Sequence, residues 1–362
     1  MDQEKLSLFR LHMSPGIGRT ALFKLQKNFG SFRMALTAPP EELVRMAHLP
    51  PRLANSILSQ DDPALLKGLA TLKQLSVRLI SFWDENYPAY LRHIHDPPAL
   101  LYLRGTLPVG EGFAIVGSRR ATAAGLQLTR EISADLAQRG VTIISGLARG
   151  IDTAAHHGAL QAEGNTIAVL GCGIDCVYPP ENLKLFQMIL ERNAVVSEFP
   201  PGIQPLAGHF PGRNRIISGL SRGVLVVEAA AGSGSLITGD FALEQGRELF
   251  AVPGGVKNVT SFGPNRLIKE GAQLVTGAED ILQSLWPDLP TNKVRKEEER
   301  FMAQLEGKTL KLYQTLDFEP QHADELGRAS GLTPMEVSAI LLDLELRGGV
   351  QTLPGGRYIR SR

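Results

Sequence analysis

The sequence predicts an α/β protein: a Rossmann-like, doubly wound and mostly parallel sheet between an N-terminal helical domain of the SAM or helix-hairpin-helix type and a C-terminal winged helix. Three observations carry this prediction. Short apolar runs alternate with helical stretches through the middle of the chain, which is typical of parallel strands covered on both faces. The residues before this region have helical periodicity only. The residues after it combine helical segments with two short strands around PGG.

Composition limits the classes of function that the chain can have. Its 362 residues, 43% of them hydrophobic, are enough for two or three domains with a substantial core. The formal net charge of +1 excludes a uniformly basic coat for nucleic acid, so any DNA site has to be a local patch. The N-terminal segment has no apolar core of signal-peptide length, and no run of about 18 apolar residues occurs. We therefore expect a cytoplasmic protein that does not insert into membranes.

The first predicted domain, residues 1–76, has the pattern of a helix-hairpin-helix. PGIG (residues 15–18) separates two amphipathic stretches, and HLPPRLA (residues 48–54) has the composition of a second, degenerate hairpin. Glycines in such a turn expose backbone N–H groups at a helix start, where a phosphate can bind. Modules of this type also act as scaffolds, so DNA contact and a structural or partner-binding role both remain open.

The second predicted domain, residues 77–290, contains the sheet. Helical stretches such as ATAAGLQLTREISADLAQRG separate its apolar runs, and this alternation indicates strands joined by helical crossovers. The predicted strands are residues 113–116, 141–144, 166–170, 194–197, 224–228, 249–252 and 273–275. Loops that follow parallel strands meet at the carboxyl edge of the sheet, which is where open α/β sheets bind ligands.

The rest of the chain is predicted to form a charged linker and a winged helix. TNKVRKEEER (residues 291–300) has no apolar face, as in a linker or a solvated helix end. Residues 301–362 then give a helix over 301–316, a helix-turn-helix pair and a two-stranded wing. Helices that read duplex grooves usually carry basic and amide side chains. The presumed recognition helix is mostly acidic instead, so a protein-binding or weak accessory role is favoured for this domain. The charged side chains of the presumed recognition helix are Glu336, Asp343, Glu345 and Arg347.

Four loops of unusual composition follow apolar or Pro-ended runs in the sheet domain. They are GSRR (residues 117–120), SGLARGID (residues 145–152), FPGRNRIISGLS (residues 210–221) and GSGSLIT (residues 232–238). All four are rich in Gly, Ser or Arg and contain no obvious nucleophile. The sequence therefore predicts a surface that binds a phosphate chain rather than a catalytic centre.

The first two loops supply candidate phosphate ligands. Gly117 and Ser118 allow a ligand to approach the backbone closely, and Arg119 or the arginine after it offers a planar, permanently charged guanidinium. Arg149 is a second candidate, while Asp152 is placed in the first turn of the following helix, where the dipole favours it. The alternatives are a tight turn with surface arginines and a structural pair between Arg149 and a carboxylate.

The third loop combines an aromatic ring with basic side chains. Phe210 can stack a base without reading it, while guanidinium groups follow the phosphate backbone. The polar candidates here are Arg213, Asn214 and Arg215. The alternatives are that Phe210 fills the core and that Asn214 and Arg215 brace the loop through hydrogen bonds.

The fourth loop has the composition of a phosphate nest built from backbone N–H groups and hydroxyls. Its candidate donors are Ser233, Ser235 and Thr238. The chain contains no GxxxxGK[ST] motif, and no intact GxGxxG follows the first strand of the sheet. ATP hydrolysis and ordinary dinucleotide binding are therefore disfavoured, and we expect no cofactor.

Cysteine and histidine provide no evident catalytic or metal chemistry. Cys172 and Cys176 have no second pair nearby to complete a structural zinc site, so we expect reduced cysteines with a structural role. His156 and His157 lack an acid, a thiol or a metal-spaced partner in the local sequence, and we interpret them as structural or rim residues.

Taken in order, the motifs of residues 84–285 resemble those of the bacterial DNA-processing protein A family, DprA or Smf. They are GSR, SGLARGID, GCGID-x2-YP, SEFPPG, FPGRNRIISGLS, VVEA, SGSLIT, AVPG and GPNRLIKEGA. The combined match is far more specific than any one motif. The flanking helical and winged-helix regions are similar in layout to the longer members.

The resemblance implies a function that the residues alone do not define. It implies a homodimeric, non-catalytic protein that binds incoming single-stranded DNA during natural transformation and protects it. It also implies that the protein helps to load RecA past single-strand-binding protein. Carried over by motif, the basic pocket is lined by Gly117, Ser118 and Arg119, with Arg149 nearby and Phe210 as the base-stacking ring.

Two other functions remain open. The first is a nucleotide-processing enzyme of the phosphoribohydrolase type, for which Glu228 is the nearest carboxylate, although the PGGxGTxxE spacing of those enzymes is absent. The second is a scaffold that senses a small nucleotide at the same loops. Carboxylates that could hold Mg²⁺ in such a site are Asp152, Asp175, Glu198 and Glu228.

Overall fold

The computed structural model describes residues 2–289, 301–317 and 320–360. The chain folds into two compact units, Met1–Trp286 and Pro287–Arg362. None of the described helices is both long and apolar enough to cross a membrane. The predicted linker at residues 291–300 lies outside the described residues.

The larger unit begins with a compact group of helices, as the sequence predicts. The PGIG turn joins the first helix to the second, and its Gly16 has a left-handed backbone with φ of 80°, which favours glycine. The helices are Gln3–Met13 (α1), Arg19–Phe29 (α2), Phe32–Thr37 (α3), Pro40–Ala47 (α4), Pro51–Ala54 (α5) and Pro63–Gln74 (α6).

These helices pack directly on the sheet. The ring of Phe9 in α1 meets Tyr102 edge to face, with 6.1 Å between ring centroids, and the His12 Nδ1 atom lies 2.8 Å from the Tyr102 hydroxyl. One continuous apolar core includes side chains from the helices and from the sheet. The boundary after residue 76 therefore stays a prediction, since the helices before it share a core with the sheet.

Among the described residues, nine strands form one large sheet in the order β1-β2-β6-β5-β4-β3-β7-β8-β9. Each of the seven predicted strands is present, within two residues at each end. The strands are Arg78–Ser81 (β1), Leu100–Gly105 (β2), Gly112–Val116 (β3), Thr142–Ser145 (β4), Thr166–Leu170 (β5), Ala194–Ser197 (β6), Gly223–Val226 (β7), Glu248–Ala251 (β8) and Gln273–Leu274 (β9). Strands β3 to β9 pair in parallel.

Strands β1 and β2 were not expected from the sequence. β2 pairs antiparallel with β6, where Tyr102 faces Ser197, and β1 pairs antiparallel with β2. Since β1 and β6 both oppose β2, they run in the same direction. The residues that follow β1 therefore lie at the same edge of the sheet as the loops that follow the parallel strands.

Helices cover both faces of the sheet. Successive residues of β5 alternate between two apolar cores: Ala168 belongs to the core shared with α1–α6, while Ile167 and Val169 belong to the core on the other face. The helices of this region are Ala89–Arg92 (α7), Ala123–Gln138 (α8), Ile151–Gln161 (α9), Leu183–Arg192 (α10), His209–Gly219 (α11), Gly234–Glu244 (α12), Phe262–Lys269 (α13) and Ala278–Leu285 (α14).

The smaller unit is a winged helix around its own core. Its elements are Gly307–Thr315 (α15), Gln321–His322 (β10), Ala323–Ser330 (α16), Pro334–Leu346 (α17), Val350–Leu353 (β11) and Arg357–Arg360 (β12). The helix predicted over residues 301–316 is interrupted, because the chain turns at residues 303–304 before α15 begins. Glu336 of the presumed recognition helix α17 caps that helix through Thr333 and contacts Lys308.

Candidate functional site

A cavity of about 730 Å³ opens at the carboxyl edge of the sheet. It lies between the loops that follow β3 and β7 and the first turns of α11. Eight of the ten predicted ligand-binding residues line it: Gly117, Ser118, Arg119, Phe210, Arg213, Asn214, Ser233 and Ser235. Arg149 lines an adjoining hollow with Arg119, Phe210 and Arg213. The structure thus brings together nine residues from four loops.

Arg215 is the one predicted residue that lines neither space. It is buried between two carboxylates, pairing with Glu198 and, at 3.1 Å from its Nε atom, with Asp96. This position fits the bracing role that the sequence left open better than a contact with a ligand phosphate.

Both arginines of the GSRR loop line the cavity. Gly117 has no room for a side chain, because an added Cβ would stand 2.7 Å from Ile151. The Ser118 hydroxyl accepts a hydrogen bond from the N–H of Arg120 at 3.0 Å, which holds the turn. Arg119 is exposed, and in the described part of the chain no carboxylate pairs with it. Its charge is therefore available to an anion.

Phe210 lies in the first turn of α11 and is half-buried. Its ring centroid is 5.4 Å from the Arg119 guanidinium and 5.9 Å from that of Arg213. The ring of Tyr178 packs against it at 5.6 Å, and a Cβ at Gly171 would come within 2.8 Å of it. Phe210 is therefore a wall of the cavity, and Arg119 stands where a stacked base would have to enter.

Arg213 is a buried cation beside this wall. It is 4% exposed, and its Nη1 atom donates to the carbonyl oxygen of Val169 at 2.5 Å, while its Nε atom has no hydrogen-bond partner among the described residues. Burial lowers the pKa of Arg213 to about 10, partly opposed by nearby Asp152. Arg213 therefore stays charged at neutral pH and has a donor to spare.

Asp152 organises the SGLARGID loop from the start of α9. Its carboxylate accepts hydrogen bonds from the N–H groups of Gly146 at 3.0 Å and Ala148 at 3.3 Å. Burial raises the pKa of Asp152, while the nearby Arg213 acts in the opposite direction. The carboxylate thus shapes the loop and balances the buried guanidinium.

Arg149, in the same loop, forms an ion pair with Glu181. Both side chains are about half exposed. The hydrogen bond between them raises the pKa of Arg149 and lowers that of Glu181. The structural pair that the sequence left open is thus present, with Glu181 as the partner.

The GSGSLIT loop begins helix α12. Ser233 caps the helix by accepting from the N–H of Ser235, and the two hydroxyl oxygens lie 2.8 Å apart. The amide nitrogen of Asn214 donates to the carbonyl oxygen of Gly234 at 3.0 Å. The loop predicted to bind phosphate is therefore hydrogen-bonded to α11 and lines the same cavity.

The remaining carboxylates at this edge bind parts of the protein. Asp175 accepts from the N–H of Gly202 at 2.9 Å, and Glu228 accepts from the N–H and the hydroxyl of Thr122 at 3.0 and 2.5 Å. Glu198 is engaged in the ion pair described above. In residues 2–289, 301–317 and 320–360, no group of three or more His, Cys, Asp or Glu side chains is arranged to hold a metal ion.

The thiols and the buried histidine are poor catalytic groups. Cys172 and Cys176 are free cysteines, and burial raises the pKa of Cys172 to about 12, so its thiol stays protonated. His156 is fully buried, and its Nδ1 atom lies 2.7 Å from the Thr166 hydroxyl. Burial lowers the pKa of His156 to about 3.

Tyr178 is the main residue at the site that sequence reasoning missed. It forms part of the hollow that contains Arg149 and packs against Phe210. Its place in the GCGID-x2-YP motif, just after β5 at the carboxyl edge, is the signal that could have identified it.

Comparisons with known proteins agree on one family. The model of the family described as DNA recombination-mediator protein A matches residues 78–286, and that of the DprA winged helix domain matches residues 297–356. Protein Smf of Escherichia coli is 44% identical over 320 residues, covering 86% of this chain and 84% of its own. DNA processing protein DprA of Bacillus subtilis is 38% identical over 288 residues, covering 79% and 96%.

Two solved structures share the fold. DNA processing protein A of Streptococcus pneumoniae aligns with a TM-score of 0.67 and 35% identity, covering 81% of this chain and 100% of that one. DNA processing protein A of Helicobacter pylori, whose structure is described in terms of a single-stranded DNA binding mode, aligns with a TM-score of 0.53 and 30% identity. That match covers 60% of this chain and 98% of the other.

Proposed function

The chain belongs to the DNA recombination-mediator protein A family, and we propose that the cavity at the carboxyl edge of its sheet binds single-stranded DNA. The observation that carries the proposal is the Phe210 ring with the guanidinium groups of Arg119 and Arg213 at 5.4 and 5.9 Å from its centroid. Single-strand sites combine aromatic surfaces that stack any base with cations that neutralise the backbone. This cluster supplies both within one cavity.

Arg119 and Arg213 have different parts in the proposed site. Arg119 is exposed and has no carboxylate partner among the described residues, so it meets phosphate first, and an entering base takes its place over the Phe210 ring. Burial and the hydrogen bond to Val169 hold Arg213 in place, so it acts as a fixed positive charge 5.9 Å from the centre of the ring. Backbone N–H groups and hydroxyls around Ser233 and Ser235 provide further phosphate ligands.

We propose that the protein acts without catalysis. Glu228, the carboxylate nearest in sequence to a phosphoribohydrolase acid, is already engaged by two hydrogen bonds from Thr122. The buried thiol of Cys172 stays protonated near neutral pH. Neither group has the freedom that a nucleophile or a general acid requires.

Family membership supports a wider role for this binding. We propose that the protein works as a homodimer in the cytoplasm, protects DNA taken up in natural transformation, and helps to load RecA past single-strand-binding protein. These steps require a site that holds a strand without reading its sequence, and base-tolerant stacking together with phosphate binding has that property.

Replacing Arg119 tests the proposed site. We expect Arg119→Ala to weaken the binding of every single-stranded homopolymer about tenfold or more, because the variant cannot form the charge-assisted hydrogen bond to phosphate. The dependence of log affinity on log salt should become shallower by about 0.7. Gel shifts at two salt concentrations would measure both effects.

The matched control is Arg130→Ala, which removes an exposed arginine from α8. It should leave affinity unchanged. Equal affinities for wild type and Arg119→Ala, or a strong preference for duplex DNA, would contradict the proposed site.

A further inference from the structure

The carboxyl edge of the sheet extends well beyond the cavity. Because β1 runs in the same direction as β6, Phe82 and Trp83 emerge at this edge directly after Ser81 ends β1. Three strand spacings of about 4.8 Å separate β5 from β1. The end of β1 therefore lies on the order of 15 Å from Gly171, which follows β5 and underlies the Phe210 ring.

A second group of aromatic and basic side chains stands at this far end. We define the α2 patch as Phe23, Lys24, Lys27, Phe82 and Trp83, which line a hollow of about 440 Å³. The Phe23 ring lies 4.9 Å from Phe82 and 5.1 Å from Trp83. The three rings are half-buried, whereas both lysines are exposed. In the described part of the chain no carboxylate pairs with either lysine.

The path between the two ends carries a third aromatic pair. The Phe199 ring, just after β6, stacks on His209 with 4.4 Å between centroids and 27° between planes. His209 directly precedes Phe210 at the start of α11. Aromatic groups therefore stand above β5, β6 and β1 along a single edge.

Two acidic groups along this path are already paired with arginines. Asp96 lies between Arg215, at 3.1 Å, and Arg19, at 4.0 Å, and Glu198 pairs with the same Arg215. Arg19 begins α2 and also lines the hollow of the α2 patch. A polyanion that follows the edge would thus meet these two paired carboxylates and, at its end, Lys24 and Lys27, for which no carboxylate partner is found among the described residues.

We propose that the carboxyl edge is one extended track for a single strand, with the α2 patch as a second contact that stacks a base on Trp83 and holds phosphates with Lys24 and Lys27. This proposal rests on the proposed function, because it concerns the same strand. A short oligonucleotide occupies the cavity alone. A longer one reaches both ends of the edge.

Binding as a function of strand length tests the track. The variant is Lys24→Gln with Lys27→Gln. The probes are oligothymidines of about 3 and about 20 nucleotides, which bracket the usual size of single-strand sites. At about 3.4 Å or more per nucleotide, only the longer probe spans the roughly 15 Å between the two ends of the edge. Without the two ammonium groups that neutralise phosphates, the long probe should bind roughly 25-fold more weakly at about 0.1 M salt, and its log–log salt slope should become shallower by about 1.4. The short probe should bind as it does to wild type.

The control is Lys67→Gln with Lys73→Gln, which removes the same charge from exposed positions on α6. It should bind both probes like wild type. Unchanged binding of the long probe to the α2-patch variant would overturn the track. Arg119→Ala separates the two proposals, since it should weaken both probes, and its failure to do so would contradict the cavity itself.

Tryptophan emission gives a second measurement that does not depend on charge. A base stacked on Trp83 should change the emission of the wild-type protein when the long probe binds. Trp83→Phe keeps a ring in the hollow but should lose this change. An equal change in the variant would place the response at Trp286, the other tryptophan, and would overturn stacking at the α2 patch.

Discussion

At the scale of single residues, the position of Arg213 depends on the lack of a side chain at Gly146. A Cβ at Gly146 would stand 2.0 Å from the Nη1 atom of Arg213, so the guanidinium occupies the space that any other residue would fill. The strand-to-loop turn after β4 is thus adapted to the buried cation. The charge at the base of the cavity depends on a close fit between the loop after β4 and helix α11, as well as on one arginine.

Gly146→Ala tests this fit. The added methyl group should push the guanidinium away from the Val169 carbonyl oxygen and lower the free energy of unfolding by about 1–3 kcal/mol, as overpacking of a core does. Affinity for oligothymidine should fall as well, because the fixed charge moves. Thermal unfolding and gel shifts would measure the two effects.

Gly212→Ala is the matched control, since a Cβ at this exposed position of α11 has nothing within 4 Å. It should leave stability unchanged or raise it by about 0.5–1 kcal/mol, as alanine does in a helix. Equal stabilities of wild type and Gly146→Ala would contradict the proposed fit.

At the scale of elements, helix α11 decides which predicted residues meet the cavity. The FPGRN segment is already helical from His209, and side chains three, four and seven positions apart share a helix face. Phe210, Arg213 and Asn214 therefore point together. Arg215, two positions beyond Arg213, turns by about 200° to the other side. Sequence reasoning treated the segment as a loop and missed this difference.

The Arg149–Glu181 pair joins the SGLARGID loop to the short 3₁₀ helix Pro180–Asn182. This pair neutralises a cation of the site. Glu181→Gln should free Arg149, tighten the binding of oligothymidine at low salt, and steepen the log–log salt slope by about 0.7. Stability should hardly change, since exposed ion pairs contribute little. Titrations at a series of salt concentrations would measure the slope.

Glu163→Gln is the control for this prediction. Glu163 pairs with Arg192 at 3.9 Å and precedes β5, so the same charge is removed at the opposite edge of the sheet. It should leave the slope unchanged. Equal slopes for Glu181→Gln and wild type would mean that Arg149 takes no part in binding.

At the scale of the whole molecule, the parallel strands of the large sheet could be predicted from sequence and the two-strand antiparallel extension could not. The apolar runs of β3 to β8 are buried on both faces and separated by helices, so their composition is decisive. β1 has the same length and burial pattern as β8, but only the four-residue helix α7 separates it from β2. β1 therefore lacks the alternation of strand and long helix that identifies the parallel strands. Its pairing depends on β2 and β6, which are distant in sequence.

The carboxyl edge illustrates the same limit. The loops after β3, β4 and β7 could be assigned to one edge because each follows a recognisable parallel strand. Trp83 could not be assigned there, because its direction depends on two antiparallel pairings. Tertiary pairing alone brings the α2 patch to the edge that holds the cavity.

The buried histidines give the larger unit a characteristic response to acid. Burial lowers the pKa of His156 to about 3 and that of His12 to about 4, from an ordinary value of 6.5. Between these values and 6.5 the unfolded chain binds more protons than the folded one, so stability rises with pH. The contribution is complete above about pH 6.5 and is lost as the pH falls toward 3.

His156→Gln isolates one of these effects. One pKa unit corresponds to about 1.4 kcal/mol. As the pH falls from about 6 to about 4, the free energy of unfolding of wild type should therefore decrease more steeply than that of the variant, by about 1.4 kcal/mol per pH unit. Asp152 and Glu198, whose pKa values burial raises, act in the opposite direction in both proteins and cancel in the difference. Denaturant titrations at several pH values would measure it. Parallel pH profiles would mean that His156 is protonated in the folded protein, which is opposed by its burial and by the lack of a hydrogen-bond partner for its Nε2 atom among the described residues.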